Sequence, residues 1–254
     1  RYAERTGDDA LLTLVPFYCL HYACVRLLVT GLRHEGTDDP GEREDARREA
    51  TSYGQLAAGY AIGPALVLTC GLPATGKSRL AEALRRGLHA DWARSDVIRK
   101  ELAGLDPHHR PSDAERETLY ASDMTRRTYD TMRNRCRDAL TAGRSIIADA
   151  TFADSATRAE FADLAREHEV PWCLVELTAP EEVIRERLAA RNAAGDDPSD
   201  ADWSVYTTLA AGWEPPDELP AAHHLRLDSR ADPDALVHRV LIQLSELRSP
   251  RLHR

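Results

Sequence analysis

The sequence lacks an excess of basic charge, since its 33 lysines and arginines are outnumbered by 42 aspartates and glutamates and the net charge is −9. A pI near 5.6 argues against a broad electrostatic footprint for duplex DNA. Any nucleic-acid substrate is therefore expected to bind at a local site rather than across a broad basic surface. Lysine is especially scarce, because Lys77 and Lys100 are the only lysines in the sequence.

Cysteine is also sparse and shows no metal-binding spacing. The five cysteines are odd in number and include no CxxC pair, so the sequence indicates neither a disulfide framework nor a zinc site. They are Cys19, Cys24, Cys70, Cys136 and Cys173. This usage fits a reducing, cytoplasmic location best.

Long hydrophobic runs are absent apart from one, Leu11–Leu32, which approaches the length of a bilayer span. It is interrupted by Pro16, His21 and Arg26. Because charge at mid-span is costly, we expect a helix buried against protein and no membrane partner. No small-residue cleavage pattern follows, so no secretory signal is expected. The sequence opens at Arg1 rather than methionine, and we expect a fragment or a processed chain.

The most informative motif lies at residues 71–78, where GLPATGKS matches the phosphate-binding loop pattern GxxxxGK[ST] at every fixed position. The apolar run Ala65–Cys70 before it predicts a buried strand, and Arg79–Leu88 after it has apolar residues at helical spacing. The loop is thus predicted to join a strand to a helix. The predicted nucleotide-binding residues are Gly71, Leu72, Pro73, Ala74, Thr75, Gly76, Lys77, Ser78, Arg79 and, from a later helix, Arg187.

In such a loop, successive backbone N–H groups surround a polyphosphate, and the positive end of the helix faces it. Gly71 and Gly76 permit backbone torsions and a closeness to phosphate that a Cβ atom would obstruct. The ammonium of Lys77 is expected to reach the outer phosphates, and the hydroxyl of Ser78 to bind magnesium. The sequence therefore predicts binding of a nucleoside triphosphate with Mg²⁺.

Strands and helices alternate beyond the loop, which predicts an α/β fold with a parallel sheet and right-handed crossovers. The predicted strands are Ala65–Cys70, Asp91–Arg94, Ser145–Ala148, Trp172–Leu177 and His224–Asp228. Ser112 and Glu115 suggest a capping box that opens one long helix to about Ala142, and a closing helix is predicted from Pro233 to Leu247.

Upstream of the sheet, a polar turn at Gly36–Glu44 separates the Leu11–Leu32 helix from a second helix, predicted from about Asp45 to Tyr60. We therefore expect an N-terminal helical hairpin as an appendage over residues 1–62. The phosphate-loop domain is expected over residues 63–254.

Polar residues at the carboxyl ends of the strands are the candidates for chemistry, because ligands of open parallel sheets bind there. Asp149 ends the third strand and is expected to hold magnesium through a bound water, as a partner of Ser78. Ala150 rather than glutamate follows it, so the carboxylate that orients attacking water in many ATPases is missing from its commonest position. This favours transfer to a bound acceptor, and the absence of an NKxD motif disfavours a GTPase.

Asp96 ends the second strand and is the candidate base for an acceptor hydroxyl. Arg99 follows one helical turn later and is a candidate for holding an anionic part of the acceptor. The alternative is that Asp96 caps a helix and Arg99 is a solvated surface charge. Thr151 and Arg158, which follow the third strand, are further candidate acceptor contacts.

Three arginines, Arg185, Arg187 and Arg191, lie in a predicted helix that breaks into the loop Gly195–Asp202. Such a segment suits a lid that brings positive charge to the transferring phosphoryl group and excludes water. Arg191 is nearest the break and is the candidate catalytic arginine. The alternative is an exposed helix whose glutamates pair with Arg185 and Arg187.

Taken together, these segments resemble a known family. GLPATGKS, RSDVIRKEL, SIIADATF and APEEVIRERLAAR with a following SDAD resemble the small phosphate-loop kinases that include polynucleotide kinase, zeta toxins and gluconate kinase-like enzymes. They are more similar still to the kinase domain fused behind an aminoglycoside phosphotransferase-like domain. The resemblance covers about Ala65 to Leu247. It implies a five-stranded parallel sheet, ATP with magnesium, Asp96 as the base, Arg99 as an acceptor contact and Arg191 as a lid residue.

The N-terminal segment DDALLTLVPFYCLHYACVRLLV is similar to the last helices of that phosphotransferase-like partner. Residues 1–62 are therefore expected to be a remnant of such a domain. The partner's catalytic HxDxxxxN pattern does not occur, so we expect no second active site.

The sequence thus predicts an ATP- and Mg²⁺-dependent kinase, a phosphotransferase that moves the γ-phosphoryl group to a hydroxyl of a small molecule or a nucleic-acid 5′ end. One alternative is a nucleotide-dependent regulatory or switch ATPase module. Another is a toxin-like kinase of a nucleotide sugar. Acceptor identity and oligomeric state leave no readable pattern, because specificity in this architecture lies in variable loops.

Overall fold

At the centre of the fold is a parallel sheet of five strands in the order β2-β3-β1-β4-β5. It is seen in a computed structural model that describes residues 5, 7, 10–194 and 201–248. The strands are β1 (Leu66–Cys70), β2 (Asp91–Arg94), β3 (Ile146–Asp149), β4 (Trp172–Thr178) and β5 (His224–Asp228). The predicted α/β fold, with its five-stranded parallel sheet and N-terminal helices, is confirmed.

Helices precede the sheet and cover both of its faces. In chain order, the helices of the described residues are α1 (Ala10–Gly36), α2 (Pro40–Ile62), α3 (Lys77–Leu88), α4 (Ser95–Leu102), α5 (Asp113–Leu119), α6 (Ser122–Thr141), α7 (Ser155–Glu167), α8 (Glu181–Ala194), α9 (Trp203–Ala211) and α10 (Pro233–Arg248).

Burial on both faces explains why the central strands are apolar throughout. On one face, Val67 and Val175 belong to a buried cluster with side chains of α3 and α10. On the other face, Leu68 and Leu174 belong to a second cluster with side chains of α6 and α7. All of β1 is buried, as is all of β3, so the strand that leads into the phosphate loop lies in the enclosed centre of the sheet.

The long helix predicted from Ser112 to about Ala142 is wrong, because the chain forms two helices there. Ser112 and Glu115 do make the capping box that opens α5, but the helix ends at Leu119. Arg99 Nη1 donates to the Leu119 carbonyl at 3.2 Å. A continuous helix would use that carbonyl for its own hydrogen bond, so the arginine stabilises the break.

Two helices were not predicted, and one was predicted too late. Asp154 and Asp202 cap α7 and α9, each by accepting backbone N–H groups of the first turn. The second helix begins at Pro40, with Asp39 as its N-cap, rather than at Asp45. Aspartate caps of this kind are local signals that mark a helix start.

The helices α1 and α2 form the predicted hairpin, and the ion pairs of Glu49 with Arg26 at 2.7 Å and with Arg33 at 2.6 Å join them. The expectation that α1 is buried against protein is wrong for most of its surface. By length and composition, the segment Leu14–Gly36 is long and apolar enough to cross a membrane, and 11% of its most apolar window is buried. Its exposed large apolar side chains are Leu14, Val15, Phe17, Tyr18, Tyr22, Val25, Leu27, Leu28, Val29 and Leu32.

The hairpin meets the phosphate-loop domain where two glycines let helices approach closely. A Cβ atom on Gly59 of α2 would lie 2.0 Å from the carbonyl oxygen of Gly87 in α3. A Cβ atom at this distance would clash with the backbone of Gly87, and only a movement of one of the two helices would relieve the clash. The hairpin therefore packs directly on the helix that begins at the phosphate loop.

We predict that Gly59→Ala lowers the free energy of unfolding by about 3 kcal/mol, because the added methyl group overpacks a backbone contact. Urea unfolding followed by circular dichroism measures the change. Gly31→Ala is the matched control, since a Cβ atom on Gly31 of α1 would meet no atom of the described residues within 4 Å. Equal stability of the two variants would contradict the close contact.

Candidate active site

A cleft of about 940 Å³ opens at the carboxyl edge of the sheet. Its walls come from the phosphate loop, the ends of β2 and β3, and the helices α8 and α9. Most predicted site residues line it, although they come from four separate stretches of sequence. Those residues are Pro73, Ala74, Gly76, Lys77, Ser78, Arg79, Asp96, Arg99, Asp149, Thr151, Arg187 and Arg191.

The phosphate loop has the backbone that its two glycines predict. Gly71 has a φ of 134°, and a Cβ atom there would lie 2.6 Å from the Leu177 carbonyl oxygen. Gly76, with a φ of 96°, precedes the first residue of α3. Both torsions are ones that residues with a Cβ atom rarely adopt. The loop is therefore shaped by its glycines, and α3 begins where a phosphate would lie.

The side chain of Lys77 forms hydrogen bonds with the backbone of the phosphate loop itself. Its Nζ donates to the carbonyl oxygens of Gly71 and Leu72, at 2.8 Å each, and Thr75 Oγ1 also donates to the Leu72 carbonyl at 2.8 Å. Burial lowers the pKa of the Lys77 ammonium, and the nearby charges of Asp149 and Asp96 oppose that shift. Gly71, Leu72 and Thr75 thus shape the loop rather than line the cleft.

Asp149 lies at the end of β3 and is only 4% exposed. Thr69 Oγ1 donates to Asp149 Oδ1 at 2.8 Å, and Trp92 Nε1 donates to Oδ2 at 3.2 Å. The Arg94 guanidinium lies 3.9 Å from Oδ2 through Nε, and its Nη2 lies 3.5 Å from Ser78 Oγ. The carboxylate and the loop serine are thus linked through one arginine.

The residues Thr69, Trp92 and Arg94 were missed by sequence reasoning. Thr69 and Arg94 each pair in register with Asp149, from the strands on either side of β3. The signal that could have found them is their position at or near strand ends, because parallel strands bring their last residues to one edge of the sheet.

The donors Ser78 and Asp149 fit a magnesium ion. Both supply hard oxygen ligands, and Mg²⁺ usually takes one or two protein ligands while phosphates and waters supply the rest. Among the described residues there is no group of three or more His, Cys, Asp or Glu side chains arranged for a metal. This pattern suits an ion that arrives with a nucleotide better than an ion held in an all-protein cage.

Asp96 and Arg99 line the cleft from the first and second turns of α4. The helix N-cap is Arg94, and Asp96 lies in the first turn without that role. Arg99 is 7% exposed, and its guanidinium lies 4.6 Å above the Tyr120 ring. The alternative of a capping aspartate and a solvated arginine therefore does not describe this helix.

The three arginines of α8 have different surroundings. Arg185 pairs with Glu181 at 2.7 Å and lies 3.5 Å above the Trp203 ring, so it is the surface pair that the alternative interpretation described. Arg187 Nη1 donates to Ser229 Oγ at 2.8 Å, and burial lowers the pKa of its guanidinium. Arg191 donates to the Ala201 carbonyl. Residues 195–200 of the predicted lid loop lie outside the described residues.

The expectation that Arg158 contacts an acceptor is corrected by its surroundings. Arg158 is 0% exposed and, within the described part of the chain, does not line the cleft. Its Nε and Nη2 donate to Glu218 at 2.6 and 2.9 Å, and its Nη1 donates to the Phe152 carbonyl at 2.9 Å. The hydrogen bonds to Arg158 also lower the pKa of the Glu218 carboxyl. Arg158 therefore ties the segment before β5 to the end of β3.

Comparison with known proteins places this site within a family. The family model described as AAA domain matches residues 66–216, from β1 to beyond α9. The chain is also 30% identical over 213 residues to Uncharacterized protein Rv2004c of Mycobacterium tuberculosis. That match covers 83% of this chain and 41% of the relative, so the chain spans about two fifths of the length of the curated relatives it matches.

Two solved structures share the fold. A "putative kinase" from Chloroflexus aurantiacus is 24% identical with a TM-score of 0.56, and the match covers 72% of this chain and 97% of that one. Kti12 of Chaetomium thermophilum, solved in complex with ADP-AlF3, is 18% identical with a TM-score of 0.55 over 72% of this chain and 98% of that one. At these identities the likeness establishes the fold alone.

Proposed function

Because the chain belongs to the AAA domain family, we propose that it is an ATP- and Mg²⁺-dependent kinase that phosphorylates a hydroxyl group. The observation that carries the proposal is the meeting of Lys77, Asp149 and Asp96 in one cleft. A phosphate-binding loop, a metal-binding carboxylate and a carboxylate placed for an acceptor are the parts that phosphoryl transfer needs. The structural relatives named a kinase and an ADP-AlF3 complex are consistent with it.

On the phosphate side of the cleft, the proposed role of each residue follows from its position. The loop amides at the start of α3 hold the β- and γ-phosphates, and Lys77 exchanges the Gly71 and Leu72 carbonyls for phosphate oxygens. Ser78 and Asp149 hold Mg²⁺, which supplies charge neutralisation for the phosphates. Arg191 and Arg187, which line the same cleft, add positive charge near the transferring group.

On the acceptor side, Asp96 accepts the proton of the acceptor hydroxyl. The freed oxygen forms a bond to the γ-phosphorus, the bond to the β,γ-bridging oxygen breaks, and ADP leaves with that electron pair. Arg99, buried beside Tyr120, holds an anionic part of the acceptor, and Thr151 lines the path to it. Asp96 and Lys77 line the same cleft, and the charge of Asp96 opposes the lowering of the Lys77 pKa by burial, which supports this assignment.

The domain division is part of the proposal. Residues 63–254 form the kinase domain, and residues 1–62 form a helical appendage left from a phosphotransferase-like domain. The packing of α2 on α3 through Gly59 supports an appendage that is attached firmly to the kinase.

An acceptor screen tests the proposal. Purified protein is incubated with γ-labelled ATP, Mg²⁺ and one acceptor class at a time: 5′-hydroxyl oligonucleotides, nucleosides, nucleotide sugars, sugars or aminoglycosides. We expect label to pass to one class and ATP consumption to rise at least about tenfold with that acceptor. The Lys77→Met protein, prepared identically, controls for contaminating kinases. ATP consumption that is equal with every acceptor and without one would contradict transfer and favour the regulatory module.

A further inference from the structure

The edge strand β2 carries two side chains that reach the carboxylate of Asp149. Trp92 and Arg94 are two residues apart and therefore project from the same face of the strand. Trp92 donates to Asp149 Oδ2 through its indole N–H at 3.2 Å. The Arg94 guanidinium lies 4.9 Å above the same indole ring and 3.9 Å from the same carboxylate oxygen.

We propose that Trp92 and Arg94 are positioning residues for the metal-binding carboxylate, with Trp92 orienting Asp149 and Arg94 balancing its charge until a divalent cation arrives. The inference rests on the proposed function in one respect, because it takes Ser78 and Asp149 as the metal ligands.

Trp92 orients the carboxylate because its hydrogen bond complements a second one. Thr69 donates to Oδ1 and Trp92 donates to Oδ2, so each oxygen of Asp149 has one fixed donor. Two donors on two oxygens set the plane of the carboxylate. Side chains that orient a metal ligand in this way commonly change metal affinity 10- to 100-fold when they are replaced.

Arg94 balances the charge because Asp149 is almost fully buried. A buried carboxylate without a compensating cation is costly, and the Arg94 guanidinium lies beside it. Its Nη2 also lies 3.5 Å from Ser78 Oγ, so the guanidinium bridges the two proposed metal ligands. A divalent cation bound by the same pair meets this positive charge at close range. Arg94 is therefore expected to keep metal affinity low until a nucleotide adds its own negative charge.

Removing the charge of Arg94 tests the second role. Mn²⁺ is titrated into nucleotide-free protein, and free Mn²⁺ is measured by electron paramagnetic resonance. We expect Arg94→Gln to bind Mn²⁺ at least about tenfold more tightly than the unmodified protein. Arg144→Gln is the matched control, because Arg144 pairs with Asp91 at the other end of β2 and should leave the affinity unchanged.

Removing the indole donor tests the first role. With a non-hydrolysable ATP analogue present, we expect Trp92→Phe to weaken Mn²⁺ binding about tenfold, while affinity for the analogue without metal stays the same. Trp172→Phe is the matched control, since Trp172 is a buried tryptophan at the amino end of β4. Thermal unfolding of each variant accompanies the titrations. If Trp92→Phe fails to fold, Trp92→His is titrated in its place. Because histidine keeps a ring N–H, the Mn²⁺ affinity of this variant should stay close to that of the unmodified protein.

Unchanged nucleotide-free Mn²⁺ affinity in Arg94→Gln would overturn the charge-balancing role. Unchanged Mn²⁺ affinity of the nucleotide complex in Trp92→Phe would overturn the orienting role. Neither titration requires an acceptor or a transfer step. A protein that binds Mn²⁺ as expected but phosphorylates no acceptor would contradict the proposed function and leave this inference supported.

Discussion

Replacing Asp96 by asparagine should reduce acceptor phosphorylation by about a thousandfold, within the range that general-base groups contribute. The amide keeps the shape of the side chain but does not accept the hydroxyl proton. ATP affinity should stay the same or rise slightly, because the variant removes a negative charge from the cleft that receives the phosphates. The rate of transfer to the acceptor identified by screening and the ATP affinity by calorimetry together measure the effect.

The matched control for Asp96 is Glu101→Gln on the same helix. Glu101 is exposed, pairs with Arg135 and is not among the described residues that line the cleft, so its loss should leave transfer unchanged. Turnover by Asp96→Asn at the rate of the unmodified protein would remove Asp96 from the chemistry. A parallel loss of ATP binding would instead indicate a nucleotide contact.

Replacing Lys77 by methionine should weaken binding of Mg²⁺-bound ATP about 100-fold and make transfer undetectable. The ammonium is expected to form hydrogen bonds with phosphate oxygens, and bonds between charged groups contribute about 1.5 to 3 kcal/mol each. Burial lowers the pKa of Lys77, because desolvation disfavours its charged form. We therefore expect the methionine variant to remain folded, with an unfolding temperature that is not greatly reduced.

The other lysine is the matched control. Lys100 is 2% exposed, and its Nζ donates to the carbonyl oxygens of Pro107 and His109. Lys100→Met should therefore lower stability and leave nucleotide affinity nearly unchanged. Equal ATP affinity in Lys77→Met and the unmodified protein would show that the loop does not use its lysine for phosphate.

The fold was largely predictable because its signals are local. The strands β2 and β5 begin and end at the predicted residues, and the phosphate loop is one contiguous pattern between a strand and a helix. Contiguous patterns carry their own structural context, so they require no knowledge of distant contacts.

Parts of the site were not predictable because they depend on pairing between strands. Trp92 belongs to no motif and Arg94 is only the first residue of the RSDVIRKEL segment, and both reach Asp149 only because β2 lies beside β3 in a particular register. Arg158 was placed wrongly for a related reason, since its partner Glu218 lies 60 residues further along the chain. Long-range partners of this kind leave no local pattern.

The hairpin shows a third limit of sequence reasoning. The apolar run in α1 predicts a helix correctly, but it does not show which neighbours cover the helix. Among the described residues, most of the apolar window of α1 is exposed, although the same apolar run would also suit a buried helix. Helix formation depends on the segment itself, whereas burial depends on what packs against it.

Isothermal titration calorimetry of nucleoside triphosphates tests the central claim most directly. We predict that ATP with Mg²⁺ binds at one site with a dissociation constant between about 1 μM and 1 mM, the range in which enzymes commonly bind substrates. The Lys77→Met protein should show little or no heat under the same conditions. Absence of binding by both ATP and GTP in the presence of Mg²⁺ would contradict nucleotide binding by the loop at Gly71–Ser78 and, with it, the proposed kinase.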